Sequence, residues 1–303
     1  MIKTDTAQFS PPRQAKQLCA SSSSHTNVET GAASHAGKVR RSNEDSFLVM
    51  CFERGLHTLF TNLPPEQIPD QYNERGYAMF VADGIGGRAK GEVASRTAIS
   101  ALIELIIQTP DWIMRPDEER ALKVLRRMEQ RFSQLPGVLA ERAETDPHLA
   151  GMGTTLTLAA SIGPDLIIAH VGASRAYLFH HEQLLRLTSD QTIAGALAAA
   201  GLIGYAEVAR HHARRVLTSA IIASGPEAEV ELHHVKLVDG DQLLLCSDGL
   251  TEMVTESEIS EALEKYGSAA EACQALVDLA LAAGGKDNVT VVLSRYRIRG
   301  GRE

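Results

Sequence analysis

The stretch Ala78-Met79-Phe80-Val81-Ala82-Asp83-Gly84-Ile85-Gly86-Gly87 constrains the fold more than any other part of the chain. A short apolar run bounded by glycine reads as a buried strand. Beyond the glycines, Glu92 to Gln108 has helical character, so the order is strand, tight loop, helix. Glycines let the backbone turn sharply and approach a ligand closely. Asp83 ends the apolar run beside the bare carbonyl of Gly84, and hard cations such as Mg²⁺ and Mn²⁺ take such oxygen donors. Taken alone, Asp-Gly also marks an ordinary turn.

The same context recurs. Glu44-Asp45 stands at the mouth of the apolar run Ser46–Met50, Asp248-Gly249 follows Gln242–Cys246, and Asp287-Asn288 precedes Val289–Ser294. A sandwich brings strand ends together, and carboxylates gathered there repel one another unless a cation neutralises them. Recurrence of acids at strand ends therefore points to a divalent metal. No His-x-x-x-His or cysteine cluster competes, which argues against zinc. Two hard cations can clamp an oxyanion and activate a water, and phosphoryl transfer needs mainly positioning and charge neutralisation. Arg40, just before Glu44-Asp45, is a candidate bidentate phosphate ligand. The chain has no Gly-x-x-x-x-Gly-Lys-Ser/Thr loop and no Gly-x-Ser-x-Gly elbow, so neither a P-loop enzyme nor a serine hydrolase is expected.

The rest of the chain reads as one large domain with appendages. Residues 1–27 are polar, with Pro11-Pro12 and a serine run, and are expected to be a disordered leader. The body spans 28–296, and 297–303 form a basic tail. Residues 51–77 read as a long excursion between paired strands. A second amphipathic helix runs from about Pro116 through Leu125 and Met128 to Phe132, with Pro136-Gly137 ending it. From Gly153 the chain is β-rich, and Gly172-Ala173-Ser174-Arg175 reads as a hairpin turn between Leu166–Val171 and Ala176–Phe179. His170 reads as a core histidine. Residues 192–215, first alanine-rich and then basic, read as a mobile insertion that could flap over a site.

A net charge of −8 argues against a nucleic-acid binder. Cys19, Cys51, Cys246 and Cys273 are widely spaced, which favours a reduced, cytoplasmic setting. No apolar run approaches a membrane span, and no signal-peptide core is visible at the N-terminus.

In order along the chain, Arg40-x-x-Asn43-Glu44-Asp45, Val81-Ala82-Asp83-Gly84-x-Gly86-Gly87, Gly153-Thr154-Thr155, Gly172-x-Ser174-Arg175, Leu187-Thr188-x-Asp190, Ser247-Asp248-Gly249-Leu250 and Asp287-Asn288-x-Thr290 resemble the motif set of PPM-type (type 2C) metal-dependent protein phosphatases of the compact bacterial kind. The resemblance covers about Gly31 to Tyr296. It implies an α+β fold, a β-sandwich of two antiparallel sheets with a helical layer outside each. It implies two Mn²⁺ or Mg²⁺ ions, bridged by Asp83 and held by Asp45, Asp248, Asp287 and the Gly84 carbonyl, with Glu44 acting through a water. It further implies that a metal-activated water hydrolyses phosphoserine and phosphothreonine in proteins, that Arg40 holds the phosphate, and that a monomer opposes a serine/threonine kinase.

Three departures qualify that picture. Ala173 stands where the family usually has Asp, an acid that helps bind a third, weaker metal in bacterial members. Ile85 stands where some relatives have a histidine proposed as general acid, and Gln191 replaces a common histidine. Ala173 also keeps open a phosphoprotein-binding module without turnover; a phosphatase of small esters is a further alternative.

Overall fold

The computed structural model describes residues 26–62, 71–87, 89–108 and 118–298; the expected leader up to residue 25, the Pro64-Pro65 region and the tail from 299 lie outside the described residues. Two five-stranded antiparallel sheets face each other. In one, β1 (Thr26–His35), β13 (Val289–Ile298), β12 (Gln242–Cys246), β8 (Arg175–His180) and β9 (Gln183–Arg186) lie side by side in that order. In the other the order is β11 (Glu231–Lys236), β7 (Asp165–Val171), β6 (Leu156–Ile162), β3 (Gln71–Ala82) and β2 (Ser46–His57). A small third sheet joins β10 (Ile221–Ile222), β5 (Gly153–Thr154) and β4 (Gly84–Ile85).

The strands are apolar on both faces because both faces are covered. Met79 and Val81 of β3 join Ile168, Leu178, Leu245 and Val292 in the layer between the sheets. Their neighbours Ala78, Phe80 and Ala82 point the other way, onto α1 (Ala89–Gln108) and α2 (Glu118–Thr145). On the opposite side Tyr177, Leu244 and Val291 pack on α6 (Glu256–Lys265) and α7 (Ala269–Ala282). The result is the expected four-layer α-β-β-α arrangement, with side-chain direction alternating strictly along each strand. No described helix is long and apolar enough to cross a membrane.

Several local expectations change. β1 opens at Thr26, and β13 carries on to Ile298, which pairs with Thr26. Tyr296 is buried, and Arg295 donates to the Gln242 side chain and to the carbonyls of Leu263 and Tyr266, so this end belongs to the sheet and not to solvent. The excursion after residue 50 is shorter than expected, because β2 and β3 stay paired from Ser46↔Ala82 to His57↔Gln71. Pro136 does not end α2, which continues to Thr145. Phe132, Leu135 and Leu139 on its buried stripe are fully enclosed; at ~1.5–3 kcal/mol each, their burial outweighs the ~3 kcal/mol cost of an internal proline. Finally, β7 and β8 belong to different sheets. The turn at 172–174 is therefore a crossing from one sheet to the other, not a hairpin.

Candidate metal centre

Strand register gathers the acids. Ser46 pairs with Ala82, so Asp45 and Asp83, one residue beyond each, leave the same edge of one sheet. Cys246 pairs with Val291 and with Arg175, so Asp248, Asp287 and the turn at Ala173 emerge at the matching end of the other sheet. Short hydrogen bonds then hold the Asp45 carboxylate, the Asp83 backbone and the loop that ends at Glu44. Asp45 Oδ2 accepts from Ser247 Oγ at 2.7 Å, a contact that crosses between the sheets, and Ser247 Oγ itself accepts from the Thr290 amide at 2.9 Å. The Asp83 amide donates to Thr155 Oγ1 at 3.0 Å, and Thr155 Oγ1 lies 3.0 Å from Ser174 Oγ. Asn288 Oδ1 accepts from the Glu44 amide at 2.8 Å while its Nδ2 donates to the carbonyls of Ala36 and Ser42, which braces the Arg40–Glu44 loop. The first turn of α1 presses on the centre: a Cβ on Gly84 would collide with the Gly91 backbone, and one on Gly91 with the Glu44 carboxylate. Only glycine permits that approach.

The electrostatics are those of a cluster of mutually repelling acids. Burial, followed by repulsion from Asp248 and Asp287, pushes the Asp45 carboxyl up to about 7. Burial and then the charge of Asp287 push Asp248 up to about 6. Asp83 is raised well above the carboxylate range by burial and then by Asp45, Asp248 and Asp287. Asp45 Oδ1 is a buried oxygen with no hydrogen-bond donor. The guanidinium of Arg40 lies on this cluster: Nη2 donates to Asp287 Oδ2 at 2.7 Å, and that bond is the main reason its pKa is raised. Among the described residues, no three His, Cys, Asp or Glu side chains form a ready-made cage. An all-oxygen donor set with one orphaned buried oxygen still fits hard divalent cations, which would offset the charge penalty.

The remaining motif residues act as scaffolding. Arg175 grips Asp190 with two bonds, Nε to Oδ1 at 2.9 Å and Nη2 to Oδ2 at 2.7 Å. His170 is fully buried, with Nδ1 2.8 Å from Thr157 Oγ1 and Nε2 3.1 Å from the Gly172 and Ser189 carbonyls, and burial lowers its pKa. Gln191 pairs with both backbone groups of Gly172, its amide donating to the carbonyl at 2.8 Å and its Oε1 accepting from the amide at 2.7 Å. The insertion at 192–215 holds α3 (Ile193–Ala199) and α4 (Tyr205–Val208). It overhangs a cavity of about 810 Å³ lined by Ala173, Asp190, Arg214, Asp248 and Glu252, among others.

Two contributors escaped sequence reasoning. Ser247 appeared only as part of a motif, and nothing in one sequence marks it as the residue that orients Asp45. Arg215 appeared only within a basic run, yet its Nη1 comes within 3.9 Å of Asp287 Oδ2.

Comparison with known proteins gives the chain a family. Residues 70–282 match the family model described as protein phosphatase 2C. The chain is 37% identical over 214 residues to the serine/threonine protein phosphatase PstP of Mycobacterium tuberculosis, which covers 71% of this chain but 39% of the longer PstP. It is 33% identical over 226 residues to the serine/threonine phosphatase stp of Listeria welshimeri, covering 74% of this chain and 87% of that protein. Among solved structures, the M. tuberculosis phosphatase PstP/Ppp aligns with a TM-score of 0.70 at 33% identity, covering 88% of this chain and 98% of that one. The catalytic domain of PstP in complex with 2 manganese ions aligns with a TM-score of 0.66 at 31% identity, covering 90% of this chain and 99% of that one. With the family model matching well over half of its length, the chain belongs to the protein phosphatase 2C family.

Proposed function

We propose that the chain hydrolyses phosphoserine and phosphothreonine in proteins, in a reaction dependent on Mn²⁺ or Mg²⁺, and so reverses the action of a serine/threonine kinase. The observation that carries this reading is the convergence of Asp45, Asp83, Asp248 and Asp287 at one end of the sandwich, with Arg40 already on Asp287. Asp83 would bridge two ions, Asp45, Asp248, Asp287 and the Gly84 carbonyl would complete the protein's share of the donors, and Glu44 would act through a water. When bound, such ions supply neutralisation of phosphate charge and a lowered pKa for water.

The chain's own groups do the rest. Arg40 exchanges Asp287 for the substrate phosphate, trading one oxygen partner for a bidentate one. Ser247, Thr155 and Asn288 hold the acids or their backbone in place, so little reorganisation is needed on binding. Ile85 offers no proton to the leaving alkoxide, a task that would fall to a water held at the centre. The two M. tuberculosis and Listeria relatives named as serine/threonine phosphatases support a phosphoprotein substrate. A monomer in the cytoplasm is the setting we infer; Cys246 and Cys273 are buried thiols whose pKa burial pushes up to about 12, in keeping with a reduced protein.

The test is phosphate release from a phosphothreonine peptide, first with Mn²⁺ and then with excess EDTA. Release should require the metal and stop on chelation. No release with Mn²⁺, or turnover that survives exhaustive chelation, would overturn the proposal.

A further inference from the structure

Arg215 closes the 192–215 insertion and reaches the metal-centre end of the sandwich. Its Nε donates to Glu252 Oε1, and the two side chains form an ion pair. Glu252 caps the short helix α5 (Asp248–Thr251), and its side chain is only 13% exposed. With Arg215 anchored there, its Nη1 lies 3.9 Å from Asp287 Oδ2. This separation is beyond hydrogen-bond range. The same oxygen accepts from Arg40 Nη2 at 2.7 Å. Two guanidiniums from distant parts of the chain thus converge on one carboxylate oxygen, although one of them suffices to hydrogen-bond it.

We propose that Arg215 is a second phosphate-holding residue, which grips the substrate phosphate together with Arg40. The inference rests on the phosphatase reading of this centre. A phosphate monoester presents three outer oxygens where Asp287 presents one to both arginines, so it can satisfy both at once. A guanidinium already locked on Glu252 loses little further freedom when it binds. The bland alternative is a latch: Arg215 would serve only to pin the insertion to α5 through Glu252.

Two variants separate these roles. Arg215→Ala removes guanidinium and latch together; Glu252→Gln weakens the latch but keeps the guanidinium. Calorimetry of inorganic phosphate binding to the Mn²⁺-loaded chain is read beside KM and kcat on a phosphothreonine peptide and beside the Mn²⁺ isotherm. We expect Arg215→Ala to weaken phosphate binding about tenfold, to raise KM in step, and to leave the Mn²⁺ isotherm in place. Glu252→Gln should keep most of the phosphate affinity. The proposal is overturned if Arg215→Ala binds phosphate as the unaltered chain does, if Glu252→Gln loses as much as Arg215→Ala, or if a weakened Mn²⁺ isotherm accounts for the loss. An unaltered chain that neither binds phosphate nor turns over peptide with Mn²⁺ would bring down the phosphatase reading, and this inference with it.

Discussion

Raising the pH of the metal-free chain from 5 to 8 should destabilise it, against the usual behaviour of paired carboxylates. Asp45 titrates near 3.8 when unfolded and at about 7 in the fold, Asp248 at about 6, and burial and then its acidic neighbours raise Asp83 in the same direction. Between those limits the native state binds more protons than the unfolded chain. Stability is therefore fully present below the unfolded value and is lost as pH rises through the folded ones. The gap between 3.8 and about 7 for Asp45 alone corresponds to ~4 kcal/mol. The acids charge against one another, so the three contributions do not add, and a total of a few kcal/mol is expected. For Asp45, the part between pH 5 and about 7 is ~2.7 kcal/mol; at ~2.1 cal/mol/K per residue, 303 residues give an unfolding entropy of ~0.64 kcal/mol/K, so the Tm drop from pH 5 to 8 is about 4 °C. Thermal melts of EDTA-treated protein at pH 5, 6, 7 and 8 read this directly. Mn²⁺ at a hundred times its pH 8 Kd should return ~2.7 kcal/mol per site at pH 8, or about 4 °C, and the same concentration should return less at pH 5, where protons compete for the same oxygens. A metal-free Tm that is flat or rises with pH would refute the reasoning.

Two further outcomes follow from the same cluster. Asp83→Asn should cut turnover at least about a hundredfold, yet raise the metal-free Tm at pH 8, because it removes an acid whose ionisation burial and its neighbours oppose; near-normal turnover would show that Asp83 is not a metal ligand. Ala173→Asp places a carboxylate in the cavity beside Asp248 and should raise kcat at saturating Mn²⁺ while adding a binding event to the Mn²⁺ isotherm; no change in either would show that this position does not limit the site.

What could be read from the sequence was whatever depends on local chemistry. Strands buried on both faces appear as continuous apolar runs, and an acid followed by Gly or Asn marks where each run leaves the sheet, so Asp83, Asp248 and Asp287 stood out. What depends on partners distant in the chain did not appear. The turn at Gly172–Ser174 has the residues of a hairpin, and nothing local says that β7 and β8 go to different sheets. Pro136 is a helix stop by its own chemistry, and only the burial of Phe132, Leu135 and Leu139 overrides it. β2 and β3 extend past residue 50 as a ribbon joined by the backbone ladder, with Phe52 packed on the core and Arg75 paired with Glu53, and with little apolar patterning to announce it. The role of Arg215 depends on where an insertion folds back, which a basic run cannot reveal.

The division of acids between the sheets has a mechanical consequence. Asp45 and Asp83 belong to one sheet, Asp248 and Asp287 to the other, so the spacing of the cluster is set by how the two sheets stack. Three features govern that stacking at the site. Ser247 at the end of β12 bonds Asp45 at the start of β2, and Asn288 before β13 bonds the Glu44 amide. Behind them the inter-sheet layer of Met79, Val81, Ile168, Leu245 and Val292 is closed to solvent. Close-packed interiors transmit displacement rather than absorb it. The repulsion among the acids pushes the sheet ends apart, the cross-sheet bonds pull them together, and the packed layer fixes the balance. The metal-free protein is thus held near a geometry it would not adopt for its own stability, and the same preorganisation lowers the reorganisation needed when cations and phosphate arrive.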